Sequence, residues 1–169
     1  MQPAIRPARP ADLHALAALA RRTWLDAFGD SVAPEDAAAE AEKGRSEERF
    51  ARVLPERVIL VAEEDGELVG YAELGPVDIP EVEAGAGDVE LHRLYVETPL
   101  QGRGIGRALL DAVLAHPDAA GPNRVFLQVW ERNERALRLY ERAGFRRSGS
   151  TRFRIGGELV EDAVFVLER

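Results

Sequence analysis
With 169 residues, 46% of them hydrophobic, and no cysteine, the chain is long enough for one domain with a substantial core. It excludes a disulfide framework, a Cys-based zinc site and a thiol nucleophile. The formal net charge of -8 speaks against a general nucleic-acid binder, whose footprint would be a basic surface.

The first residues, "MQPAIRPARPADLH", lack the charged-then-apolar pattern of a secretory signal, and no apolar run approaches the roughly 20 residues that span a bilayer. A soluble, cytoplasmic protein with no membrane partner is therefore expected, organised as one domain over residues 1–169. Acids crowd "APEDAAAEAEKGRSEE" and "AEEDGE", whereas arginines dominate from Arg103 onward, so one half favours a cation and the other an anionic ligand. Solvated helix faces with opposite-sign neighbours explain the same pattern.

In chain order, "AIRPAR" reads as a first strand. "PADLHALAALARRTWLDAFG" carries apolar residues at helical spacing, with Pro10 at its mouth and Gly29 past its end. A second helical region spans about Pro34 to Leu54, broken near "KGRS", where Ser46 can start a new turn, and Pro55 closes it. "RVILVAEEDGELVGYAELGP" is a hairpin around a tight "EDGE" turn, and "VDIPEVEAGAG" is a loop. There follow a strand "DVELHRLYV", a helix "GRALLDAVLAH", a strand "RVFLQVW", a helix "NERALRLYERAG" capped by Gly144, and two strands around the "GG" of "FRRSGSTRFRIGGELVEDAVFVLER". The predicted fold is α/β (α+β): a seven-stranded mixed, mostly antiparallel sheet flanked by about four helices, in the order β-α-α-β-β-β-α-β-α-β-β.

The stretch "QGRGIGR" sets Gly102, Gly104 and Gly106 at alternate positions between a strand and a helix. Such a turn presents unpaired backbone N–H groups at a helix N-terminus, where the macrodipole also favours an anion; this is a phosphate or pyrophosphate cradle. Glycine suits it because a Cβ would hold phosphate oxygens away from the N–H groups and because such turns often require positive φ. Arg103 and Arg107 add possible charge-assisted contacts. A Walker loop is excluded, since no Lys-Ser/Thr pair follows the glycines. A dinucleotide fingerprint is weak, because the spacing is G-x-G-x-G and the preceding topology is a meander of strands.

The Q-x-x-G-x-G pattern of Gln101, Gly104 and Gly106, with "NERALRLYERAGF" downstream, resembles the GNAT family of acetyl-CoA-dependent N-acetyltransferases. "RTWLDAFG", "VELHRLYV" and "QVWERNERALRLYERAGFRRSGS" resemble more narrowly the PaiA-type polyamine acetyltransferases. The resemblance implies acetyl-CoA as cofactor. Its diphosphate would lie on the N–H groups of Gly102, Arg103, Gly104, Ile105, Gly106 and Arg107, next to Gln101. Its pantetheine arm would lie along Leu94, Tyr95 and Val96, bonded by the backbone of Leu94 and Val96. Asn133 matches a polar residue near the cofactor and equally an N-cap of the helix it precedes.

By the same resemblance Tyr140 protonates the leaving thiolate; a phenol suits this because it stays protonated at neutral pH. A tyrosine on an amphipathic helix also fits a core. The amine must lose a proton, and Glu90 is the expected base, on the same strand face as His92, Leu94 and Val96 by the period of two, with His92 as a relay. A strand carboxylate paired with Arg93 is the alternative. Attack is direct, with the oxyanion steadied by a backbone N–H near Val96 and with no metal. The acceptor implied is a small-molecule amine, a polyamine such as spermidine, bound by Trp24, Asp26, Asp30, Glu73, Glu90 and Glu131. A protein N-terminus or another small amine, a non-catalytic acyl-CoA sensor and a homodimeric assembly stay open.

Overall fold
The computed structural model describes residues 2–31, 33–121, 123–155 and 157–169. The elements follow the expected order: β1 (Ala4–Pro7), α1 (Leu13–Phe28), α2 (Pro34–Lys43), α3 (Glu47–Val53), β2 (Val58–Glu64), β3 (Glu67–Pro76), β4 (Val89–Val96), α4 (Ile105–Ala115), β5 (Arg124–Trp130), α5 (Glu134–Arg142), β6 (Arg146–Ile155) and β7 (Glu158–Glu168). The second helical region is two separate helices. Gly44 follows α2, and Ser46 is extended, its Oγ accepting the Arg49 N–H at 3.1 Å, which caps α3 afresh. Of the expected "GG" turn between the last strands, Gly156 lies outside the described residues. No helix among the described residues is long and apolar enough to cross a membrane.

The strands form one sheet in the order β1-β2-β3-β4-β5-β7-β6, in which β4 and β5 run parallel and the other neighbours antiparallel. The β2–β3 turn uses Asp65 at φ 52° and Gly66 at φ 83°, the two left-handed residues whose twist matches that of flanking strands. Helices α4 and α5 cover one face, where Leu109, Leu110 and Val113 pack on Leu91, Val125 and Leu127. Each such buried leucine is worth about 1.5–3 kcal/mol of transfer free energy. On the other face Leu16 and Leu19 of α1 and Phe50 of α3 pack on Val61 and Tyr71.

Two irregularities in β4 shape the site. Pairing with β3 runs Gly75↔Glu90 and Leu74↔Leu91, then jumps to Glu73↔Arg93, leaving His92 as an extra, bulged residue. The bulge reverses the alternation, which corrects the expectation that Glu90, His92, Leu94 and Val96 share a face. Leu91, Leu94 and Val96 all join the α4–α5 core. Glu90 sits beside Phe126, whose cluster lies on the opposite face. The second irregularity is that parallel pairing with β5 stops at Leu91↔Leu127, so the strands diverge beyond it and leave an open seam.

Candidate active site
The seam holds a cleft of about 710 Å³ on the α4–α5 side, walled by Leu94, Val96, the loop from Gln101 to Arg107 and α5. The antiparallel ladder fixes which backbone groups face it. Glu97 donates its N–H to Val69 at 2.9 Å, and residues along such a strand alternate between bonding the partner and facing away. Leu94 and Val96 therefore turn their N–H and C=O groups toward the seam, where β5 has moved off. The Val96 carbonyl is taken by Gln101 Nε2 at 3.1 Å, whereas Gln101 Oε1 accepts from Arg135 at 3.0 Å.

Beyond Gln101 the chain passes through Gly102 at φ 87° and Gly104 at φ 85°, a region L side chains rarely adopt. Nothing lies within 4 Å of where a Cβ would stand at either residue. Gly104 caps α4 with no side-chain bond to its first turn, so those N–H groups are unpaired and lie at the positive end of the helix dipole. Open space above bare N–H groups fits a pyrophosphate. Arg107 lines this side; Arg103 does not, being paired with Glu64 at 2.7 Å. Sequence reasoning missed Arg132, Arg138 and Arg142, further cations on the same wall.

A second compartment of about 290 Å³ opens on the α1–α2 side, lined by Trp24, Phe28, Arg45, Glu90, His92, Trp130 and Asp162 among others. The two meet at Leu94, Tyr95, Asn133 and Tyr140, which line both. Asn133 caps α5, its Oδ1 accepting the Ala136 N–H at 3.2 Å. Tyr140 is buried, edge-on to Phe145 at 5.8 Å, and its hydroxyl bonds no protein group among the described residues. Burial, followed by Tyr95, pushes its pKa upward, so the proton stays on the phenol at neutral pH.

Glu90 and His92 form a pair on the wall of the second compartment. Glu90 Oε2 accepts the Asp78 N–H at 2.7 Å, and Oε1 stands 3.4 Å from His92 Nδ1. The Pro76 carbonyl, which can only accept, lies 2.8 Å from His92 Nε2 and so assigns the proton to Nε2, leaving the Nδ1 lone pair toward Glu90. Burial, then the charge of Arg57, lowers the His92 pKa to about 4. Burial also raises that of Glu90, against the bond from Asp78. A neutral imidazole beside a carboxyl of raised pKa is equipped to receive and pass on a proton.

The remaining acceptor candidates divide. Trp24 lines the second compartment, but Asp26 lines the first, accepting from Thr98 at 2.9 Å. Asp30 and Glu131 line neither, and Glu131 pairs with Arg147. Glu73 is fully buried away from both compartments, holding Arg49 through two bonds of 2.6 Å and Arg57 through one of 2.6 Å, with Arg93 at 3.8 Å. Burial would raise its pKa, but Arg49, Arg93 and Arg57 hold it at about 2. Removing such a partner leaves uncompensated buried charge, a loss of about 3–5 kcal/mol. Glu73 therefore ties α3 to the sheet. Sequence reasoning missed Arg45 and Asp162, which come from a helix connection and the last strand.

A sequence profile of the acetyltransferase (GNAT) family matches residues 13–145. The chain belongs to the GNAT family. Its N-acetyltransferase activity follows from that membership, and acetyl-CoA is the co-substrate of the family. The chain is 40% identical over 159 residues to an uncharacterized N-acetyltransferase of Mycobacterium tuberculosis, covering 93% of this chain and 97% of that protein. A spermine/spermidine N(1)-acetyltransferase of Bacillus subtilis is 33% identical over 90 residues, 53% of this chain and 59% of that one. In structure the chain is similar to the PaiA N-acetyltransferase of Thermoplasma acidophilum crystallised with coenzyme A, with a TM-score of 0.81 at 22% identity and full coverage of both chains. This likeness extends the GNAT fold to the whole sheet, β6 and β7 included.

Proposed function
We propose that this GNAT enzyme transfers acetyl from acetyl-CoA directly to a primary amine that enters from the α1–α2 side of the seam. The observation that carries the reading is the junction: the backbone-lined compartment and the Glu90–His92 compartment meet at Tyr140. Acetyl-CoA supplies an acetyl thioester, whose exchange with a neutral amine forms a C–N bond, breaks a C–S bond and moves one proton off nitrogen and one onto sulfur. Gly102, Gly104 and the first N–H groups of α4 hold the diphosphate, and the freed groups of Leu94 and the Val96 N–H hold the pantetheine amides. A primary amine has a pKa near that of lysine, about 10.4, so it arrives protonated. Glu90, beside His92, takes that proton directly or through water; the Tyr140 hydroxyl protonates the leaving sulfur, and the second proton shed by the nitrogen restores the phenol.

A polyamine is one acceptor class to test, on the name of the Bacillus subtilis relative that matches about half of the chain, although Arg45 stands on the walls of the same compartment as the carboxylates of Glu90 and Asp162. The test is thiol release from acetyl-CoA with spermidine, spermine, aminated antibiotics, amino acids and short peptides. Amine-dependent release is expected. Its absence across the panel, with acetyl-CoA still bound by calorimetry, would leave a non-catalytic acyl-CoA sensor.

A further inference from the structure
Four buried side-chain polar atoms among the described residues have no hydrogen-bond partner: Arg45 Nε, Arg93 Nη1, Tyr71 Oη and Asp162 Oδ1. Arg93 and the Tyr71 hydroxyl act on each other within the core, and Arg93 has Glu73 as a counter-ion. Arg45 has the Tyr95 hydroxyl beside it but no counter-ion among the described residues, Asp162 has neither, and both residues line the acceptor compartment. Arg45 donates Nη1 to the Glu40 carbonyl at 3.1 Å and lies 4.7 Å over the Trp24 ring, but no carboxylate among the described residues pairs with it. Asp162, opposite Trp130 in the β5–β7 register, forms no ion pair among the described residues. Burial, followed by the charge of Glu131, another acid, raises its pKa.

Buried charges in folded proteins are paired, because desolvation without a partner is strongly unfavourable. Here a cation and an anion stand on the walls of one pocket without meeting, and Tyr95 lies within the electrostatic reach of both. A ligand carrying both complementary charges would satisfy both walls. A diamine or polyamine satisfies Asp162 and leaves Arg45 facing a second ammonium; a neutral-tailed monoamine leaves Arg45 unanswered.

Resting on the amine-acetylation reading above, we propose that the acceptor is zwitterionic, an amino acid or short peptide whose ammonium is received by Asp162 and whose carboxylate is gripped by Arg45. Phe28 and Trp130, with ring centroids 5.5 Å apart, supply an apolar wall for the atoms between the two charges. Arg45 and Asp162 thereby set acceptor specificity, whereas Glu90, His92 and Tyr140 handle the protons.

The test compares acceptors matched in chain length: 4-aminobutyrate, 1,4-diaminobutane and butylamine, together with glycine, β-alanine and a dipeptide series to find the best spacing. The wild type should use the best amino acid or peptide in preference to the matched diamine and monoamine. Arg45→Gln should lower kcat/KM for that acceptor by about thirty-fold or more, as expected when one partner of a buried charge pair is removed. Butylamine use should fall several-fold less than that of the zwitterion, and Arg45→Lys should restore part of the loss. Asp162→Asn should weaken the zwitterion chiefly through KM. Preference of the wild type for the diamine, or an equal effect of Arg45→Gln on all three matched acceptors, would overturn the proposal.

Calorimetry of the same acceptors with the coenzyme A-loaded protein separates the two claims. Zwitterion binding that depends on Arg45, without any turnover, would sink the acetyl-transfer reading and keep this one. Turnover of amines with no dependence on Arg45 or Asp162 would do the reverse.

Discussion

The two compartments of the seam are built by different means. The cofactor side is made largely of backbone: the edge of β4 at Leu94 and Val96, two left-handed glycines and the bare first turn of α4. These elements follow one another over residues 94–107. The side proposed for the acceptor is made of side chains from α1, the α2–α3 connection, β4, β5 and β7 among others, with Arg45 and Asp162 separated by most of the chain. A backbone site recognises what every acetyl-CoA carries and depends on conformation. A side-chain site recognises what varies between acceptors and depends on which distant residues the sheet brings together.

Substitutions on each side should therefore break different things. The largest effect is expected at Gly104→Val, which places a β-branched residue at φ 85° and fills the space above the N–H groups. Left-handed strain and lost charge-assisted bonds together weaken acetyl-CoA binding by about three orders of magnitude, measured by calorimetry. Unaltered affinity there would remove the glycine cradle from the account.

At the junction, Tyr140→Phe should lower kcat by about two orders of magnitude with acetyl-CoA affinity little changed. Steady-state kinetics with the best acceptor decide this, and wild-type turnover would return Tyr140 to the core. On the acceptor side, Glu90→Gln should reduce kcat by about ten-fold, water replacing the carboxylate as proton acceptor. It should also erase the acid limb of the pH profile. Because the folded-state pKa of Glu90 is raised, that limb lies above the ordinary carboxylate range, with activity rising as pH increases through it. Its contribution to stability has the opposite sign: fully present below the unfolded value and lost as pH rises through the folded one. An acid limb unchanged in Glu90→Gln would assign the titration to another group.

The same contrast explains what was legible in the sequence. The order of elements along the chain, the Ser46 start of α3, the Gly144 cap and the glycine turn before α4 were readable because each depends on neighbours in the chain. The bulge at His92 was not. No glycine or proline marks it, and it is visible only in the pairing of β4 with β3, where it turned Glu90 to the face opposite Leu94 and Val96. Glu73 reads in sequence as an ammonium ligand, whereas Arg49, Arg57 and Arg93 converge on it from α3, the residue before β2 and β4. Asp162 carried only the faint signal of an acid directly before the apolar run "AVFVL".

The claim on which the rest depends is that coenzyme A lies along the freed edge of β4 and the glycine loop. Hydrogen exchange over residues 92–107, with and without coenzyme A, tests it most directly. The account predicts slowed exchange at the Leu94 and Val96 amides and from Gly104 through Arg107 when coenzyme A is bound. Binding that leaves these amides exchanging at their free rates would contradict it.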